Sequence, residues 1–180
     1  MNKRRVVITG LGAVTPIGNN IQELWEGLIT GRNGAGKITK FDASIFATQF
    51  ACEVKNFDPS VYIDKKELKR MDIYSHFALA SAAMALEDSK LDLSKIDLNM
   101  AGVVFGSGIG GILTFEEQHN LFLQGGPKKV SPFFVPMMIP DIAAGHISIR
   151  YGLKGPNYAT VSACATSSHA IADAFILIQR

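Results

Sequence analysis

The sequence predicts an α/β protein, and three observations carry that expectation. Short β-branched runs alternate with longer stretches of helical period, the pattern of strands covered by helices. Glycine clusters stand just after two of the β-rich runs, at Gly10 to Gly12 and at Gly106 to Gly111. The chain has 180 residues, 47% of them hydrophobic, enough to bury one ordinary core.

Taken in order, Arg4 to Thr9 reads as the first strand. Asn20 with Glu23 forms a capping-box signature, and Ile21, Leu24, Trp25 and Leu28 recur on one helical face until Gly31 stops the helix. Residues 31 to 63 show no sustained period and are expected to be irregular, with one short strand near Phe50 to Val54. A helix follows from about Asp72 to Lys90. Its stripe is Ile73, Phe77, Ala80 and Met84, and its many alanines suit a helix buried between layers. Met100 to Phe105 is the next strand and Ile112 to Leu123 the next helix, ended by Gly125-Gly126-Pro127. Tyr158 to Ala163 is β-rich and passes without a loop into a helix whose buried face is expected at Ile171, Phe175 and Ile178.

Composition excludes several classes. Eighteen basic against sixteen acidic residues give a net charge of +2, scattered apart from Lys3-Arg4-Arg5 and the stretch Lys65 to Arg70. Neither run has interleaved aromatics for base stacking, so no nucleic acid is expected. The apolar run Val6-Val7-Ile8 is broken at once by Thr9-Gly10, far short of a secretory h-region, and no stretch is long enough to span a bilayer. The expectation is a cytoplasmic protein without a membrane partner. Two cysteines, Cys52 and Cys164, make no disulfide framework, so each is either core filler or chemistry.

The glycine clusters invite a nucleotide-binding reading. In the first, Thr15 and Pro16 take the place of the third glycine. The second, Gly106-Ser107-Gly108-Ile109-Gly110-Gly111, satisfies G-x-G-x-x-G between a strand and a helix. The ribose-binding acid expected about twenty residues on is missing, since the chain there runs Lys128-Lys129-Val130-Ser131. Glycines that let backbone approach closely at a strand end, beside a cavity, fit better.

Cys164 sits at a strand-to-helix corner among the small residues Ala163, Ala165, Ser167 and Ser168. There a sulfur faces unsatisfied backbone N–H groups and the positive end of a helix dipole, which favour thiolate over thiol and offer a donor to an oxyanion. Cys52 has no such setting and reads as structural. His169 lies five positions after Cys164, about 140° around the same helix, too far round for a direct pair. His76, His119 and His146 fall in helical contexts and read as structural.

From first strand to last residue the chain resembles the elongating β-ketoacyl-acyl-carrier-protein synthases. The segments that carry the resemblance are RRVVITGLGAVTPIGN from Arg4, the RMD of Arg70 to Asp72, VVFGSGIGG from Val103, GGPKKVSPFFVP from Gly125, AAGHISIRYGLKGPN from Ala143 and SACATSSHAI from Ser162. Gly125 to Asn157 resembles the type II enzymes more than type I. The resemblance implies the thiolase-like fold, two similar α/β halves stacked in α-β-α-β-α layers, and residues 1–180 would be the N-terminal half. It implies Cys164 as the acylated nucleophile, with its N–H as one oxyanion donor. Ile109 and Phe134 would line the acyl pocket, Phe134 reaching over from the second copy of a homodimer. Acyl-carrier protein would deliver acyl and malonyl thioesters, and no cofactor or metal is implied.

The family's members are more than twice this long. Two histidines that promote decarboxylation, a lysine, the second oxyanion N–H and a phenylalanine gate belong to their C-terminal half, and Arg180 closes this sequence inside a helical pattern without a cap. A fragment or truncated chain is therefore expected, inactive alone. The alternatives are a non-catalytic, synthase-like chain-length partner, which retention of Cys164 disfavours, and another thiolase-like condensing enzyme, for which the PFFVP segment would be unexpected.

Overall fold

A computed structural model describes residues 4–180, so Lys3 of the basic run Lys3-Arg4-Arg5 lies outside the described residues. Helix α1 spans Ile21–Ile29. Asn20 caps it by accepting the Glu23 N–H at 2.8 Å, and the Glu23 carboxylate reaches back to the Asn19 N–H at 2.8 Å. These reciprocal bonds satisfy donors that a bare helix start leaves orphaned. Gly31, at φ +65°, ends the helix as expected. The expected apolar face is only partly covered, for Trp25 and Leu28 stay exposed and Gly27 is the buried residue, pressed on Ile17.

Strand β1, Gly36–Lys37, pairs antiparallel with β2, Phe50–Ala51, inside the irregular excursion. A single turn of helix, α2, covers Lys65–Leu68. Helix α3 then runs Ile73–Ser89, capped by the Asp72 side chain and closed by Lys90 in the left-handed conformation. No residue from Asp72 to Leu86 is exposed, as a helix between layers requires. The deepest face is Ser75, Ala78 and Leu79 together with Ala80, rather than the stripe through Ile73, Phe77 and Met84.

Strand β3, Val103–Val104, pairs in parallel with β4, Asn157–Tyr158. Between them lie α4 (Ile112–Gly125), α5 (Phe134–Met138) and α6 (Ile142–Tyr151), a helical crossover of the kind parallel strands need. Helix α7, Thr166–Gln179, follows β4. The core sits where α6 lies along α3. Ala78, Ala143 and Ala144 are fully buried and let the helix backbones approach, with Leu79, Ile63, Val103 and Ile147 filling the space around them. The Tyr74 hydroxyl donates to the Ile139 carbonyl at 2.6 Å, and burial pushes its pKa up to about 12, so it remains a donor.

Three strand expectations are corrected. Arg4 to Thr9 carries no strand; instead the following Gly10 and Gly12 press their backbone onto α3, and the Leu11 N–H donates to Asp88 at 2.8 Å. Met100 to Phe105 contracts to Val103–Val104, because Leu98–Met100 winds into a 3-10 turn. The run from Tyr158 to Ala163 keeps only Tyr158 in the ladder, since its later residues bend away to bind the start of α7.

Candidate active site

After β4 the chain makes a 3-10 turn, Ala163–Ala165, that leads directly into α7, and Cys164 is its central residue. Ala163 is held at φ +50°, a left-handed conformation disfavoured for any residue with a Cβ. The turn is tied from both sides. The Thr166 hydroxyl accepts the Ser162 N–H at 2.8 Å, while the Thr160 hydroxyl donates to the Thr166 carbonyl at 2.9 Å. Thr166 is buried, and Cys164 is exposed on the outside of the corner. Among the described residues no side chain caps α7, so the positive end of its dipole is left to whatever stands by the turn.

The glycine loop after β3 forms the facing wall. A Cβ on Gly106 would lie 2.1 Å from Thr166 Cγ2, and one on Gly108 would lie 3.6 Å from the Ala163 carbonyl oxygen. Only glycine at 106 lets this backbone reach the start of α7. The loop's other end turns to α5: Gly110 stands at φ +85°, and the Gly111 N–H donates to the Met138 carbonyl at 2.9 Å. Both glycine clusters thus serve close backbone approach.

Ile109 lies midway along this loop and is 68% exposed. Phe134 begins α5 at the far end of the wall, half-buried, its ring 6.2 Å from that of Phe115. The RMD segment braces the same wall. The Asp72 carboxylate, buried, accepts the Thr114 N–H at 2.9 Å and its hydroxyl at 2.8 Å, and the Arg70 guanidinium sits 4.7 Å over the Phe133 ring.

His76 binds the Leu68 carbonyl at 3.2 Å, and burial holds its pKa below the ordinary value, as it does for His146. His119 stacks on Phe115. His169 shares a 2.6 Å hydrogen bond with the Ser162 hydroxyl, a partner the helical-wheel argument could not supply. Cys52, expected to be structural, is exposed. The expected buried face of α7 is the reverse of the observed one: Ile171, Phe175 and Ile178 are 70%, 45% and 49% exposed, while Thr166 and Ala170 are buried. Thr160 and Thr166 hold the corner, and the sequence carries no signal for either, since a threonine is an ordinary residue in a β-rich run and at a helix start.

A family model, "Beta-ketoacyl synthase, N-terminal domain", matches residues 3–180. The chain belongs to the β-ketoacyl synthase family. It is 50% identical over 179 residues to 3-oxoacyl-[acyl-carrier-protein] synthase 2 of Synechocystis, covering 99% of this chain and 43% of that protein. It is 49% identical over 177 residues to the synthase 2 of Staphylococcus aureus strain COL, covering 98% and 43%. Among solved structures it resembles a type II polyketide ketosynthase in complex with its acyl-carrier protein, with TM-score 0.83, 26% identity, and 99% and 48% of the two chains covered. A β-ketoacyl synthase from Burkholderia phymatum gives TM-score 0.81 at 28% identity, with 98% and 44% covered. The fold is that of the thiolase-like ketosynthases, and the chain spans less than half the length of the curated relatives it matches. Among the described residues no helix is long and apolar enough to cross a membrane.

Proposed function

We infer that this chain is the N-terminal, nucleophile-bearing half of an elongating fatty-acid condensing enzyme, a β-ketoacyl-acyl-carrier-protein synthase of the type II kind. The observation that carries it is Cys164, exposed on a strained turn at the uncapped start of α7 and faced by the glycine loop. In the first half-reaction the Cys164 sulfur attacks the acyl thioester on acyl-carrier protein. A tetrahedral oxyanion forms, the carrier's sulfur leaves and takes up the proton, and the acyl group remains on Cys164. The N-terminal N–H groups of the turn and helix favour the negative charge that develops on that oxyanion. In the second, malonyl-carrier protein loses carbon dioxide and the resulting carbanion attacks the Cys164 thioester. A product two carbons longer leaves, and the sulfur is regenerated.

Ile109 and Phe134 are proposed to line the acyl pocket, Ile109 from the glycine loop that faces the Cys164 corner and Phe134 from the start of α5 of the second copy in the homodimer. The groups that promote decarboxylation are assigned to the C-terminal half of the family, and the enzyme is read as a cytoplasmic homodimer. A structural relative captured with its acyl-carrier protein supports the carrier as partner.

Exposure of the enzyme completed by its C-terminal half to an acyl-carrier protein loaded with a long acyl chain, followed by peptide mapping, tests the reading. An acyl mass on the Cys164 peptide before any malonyl-carrier protein is added is expected, and Cys164→Ala should abolish it. An acyl group on Cys52, or transfer retained by Cys164→Ala, would overturn the assignment.

A further inference from the structure

The turn that presents Cys164 carries a bond the condensation chemistry does not use. Ser162 precedes the strained Ala163, and its hydroxyl meets His169 Nδ1 of α7 at 2.6 Å. The same residue's N–H is held by the Thr166 hydroxyl at 2.8 Å. Ser162 is thus fastened to two successive turns of α7, and the three residues between Ser162 and Thr166 include both the left-handed Ala163 and Cys164. A left-handed Ala persists only where its surroundings over-determine it. Glycine, which costs nothing at that φ, is absent here, so the restraint must come from the flanking bonds.

We propose that Ser162 and His169 are positioning residues for Cys164: their hydrogen bond clamps the turn across α7, keeps Ala163 at positive φ and aims the sulfur at the helix start. The clamp rests on Cys164 as the reactive group of the site. His169 touches neither the sulfur nor the substrate in this role. Its imidazole acts through Ser162, which is why its position around the helix from Cys164 does not matter.

The readout is the alkylation rate of Cys164 by iodoacetamide in the 180-residue protein, with Cys52, also exposed, as the reference in the same sample. Loss of one hydrogen bond should slow Cys164 relative to Cys52 by about 3- to 10-fold in His169→Ala or Ser162→Ala, and by no more in the double variant, because both remove one bond. Ser162→Thr, which keeps the hydroxyl, should stay near the parent rate. Ala163→Gly should restore the His169→Ala variant to within about 2-fold, since glycine holds positive φ without a clamp. A parent-like rate in both single variants, additive losses in the double, or no recovery with Ala163→Gly would each overturn the clamp. Circular dichroism checks that every variant compared is folded. Thioester formation on Cys164 is read separately, in the enzyme completed by its C-terminal half, so an enzyme that shows the clamp but accepts no acyl group there refutes the proposed function and leaves the clamp standing.

Discussion

Helices α3 and α7 answer the same question in opposite ways. Helix α3 is enclosed along most of its length, with Ala78, Leu79 and Ala80 sealed against α6 and its surroundings. Helix α7 turns its small and polar residues inward, Thr166, Ala170, Asp173 and Ala174, and leaves Ile171, Phe175, Ile176, Leu177 and Ile178 on the outside. The inward choice follows from position. Thr166 must hold the Cys164 turn, and Asp173 accepts the Tyr158 hydroxyl at 3.3 Å, so this face is committed to anchoring the corner on β4. An apolar stripe says which face would gain from burial, and it does not say that this chain supplies the cover.

The sharpest way to break the comparison is to cut the core of α3. Leu79 is 1% exposed, so Leu79→Ala should cost about 2–5 kcal/mol through lost transfer energy and the cavity left behind. Thermal unfolding should begin on the order of 10 °C lower. A change within about 0.5 kcal/mol, typical of surface sites, would mean that α3 is not the centre of stability.

Legibility in the sequence followed the same division. Helix α1 with its Asn20 cap, α3 with its Asp72 start and α4 with its glycine terminator were readable because caps and helical periods are local. The place of Cys164 at the corner before α7 was readable because a cysteine among small residues before an apolar helical period is also local. Strand extents were not, since a ladder depends on a distant partner: Val103 and Val104 find one in Asn157 and Tyr158, and Arg4 to Thr9 find none among the described residues. Helix α5 and most of α6 are not legible in the sequence, because Pro136, Pro140 and Gly145 interrupt the helical period. The Ser162–His169 bond joins residues seven apart across a turn whose geometry only the folded backbone defines.

A smaller effect separates the two regions by pH. His76 on α3 and His146 on α6 are partly buried, and burial holds both below the ordinary histidine value of 6.5. The unfolded chain therefore binds protons that the folded chain resists. Their contribution is intact above the unfolded value and is lost as pH falls below it towards the folded values. The unfolding midpoint should decline between about pH 7 and pH 5, and His76→Gln should flatten part of that decline. A slope identical to the parent's would remove His76 from the linkage.

The smallest expected effect lies on α7. Ile171 is 70% exposed, so in this chain Ile171→Ala should change stability by less than about 0.5 kcal/mol, a tenth or so of the upper cost at Leu79. Its consequence should appear in what the surface does instead. Ile171, Phe175 and Ile178 recur at i, i+4 and i+7 and form one continuous stripe that the described residues leave uncovered. The 180-residue protein should therefore bind a hydrophobic dye or self-associate, and Ile171→Lys should weaken both while leaving the unfolding midpoint unchanged, because the lysine adds charge where no packing is lost. If Ile171→Ala costs as much as a core truncation, the stripe is already covered in solution by a second copy of the chain. That cost would then fall on dilution, since only cover supplied by association depends on concentration. A large, concentration-independent loss would contradict the open face of α7 and, with it, the contrast with α3.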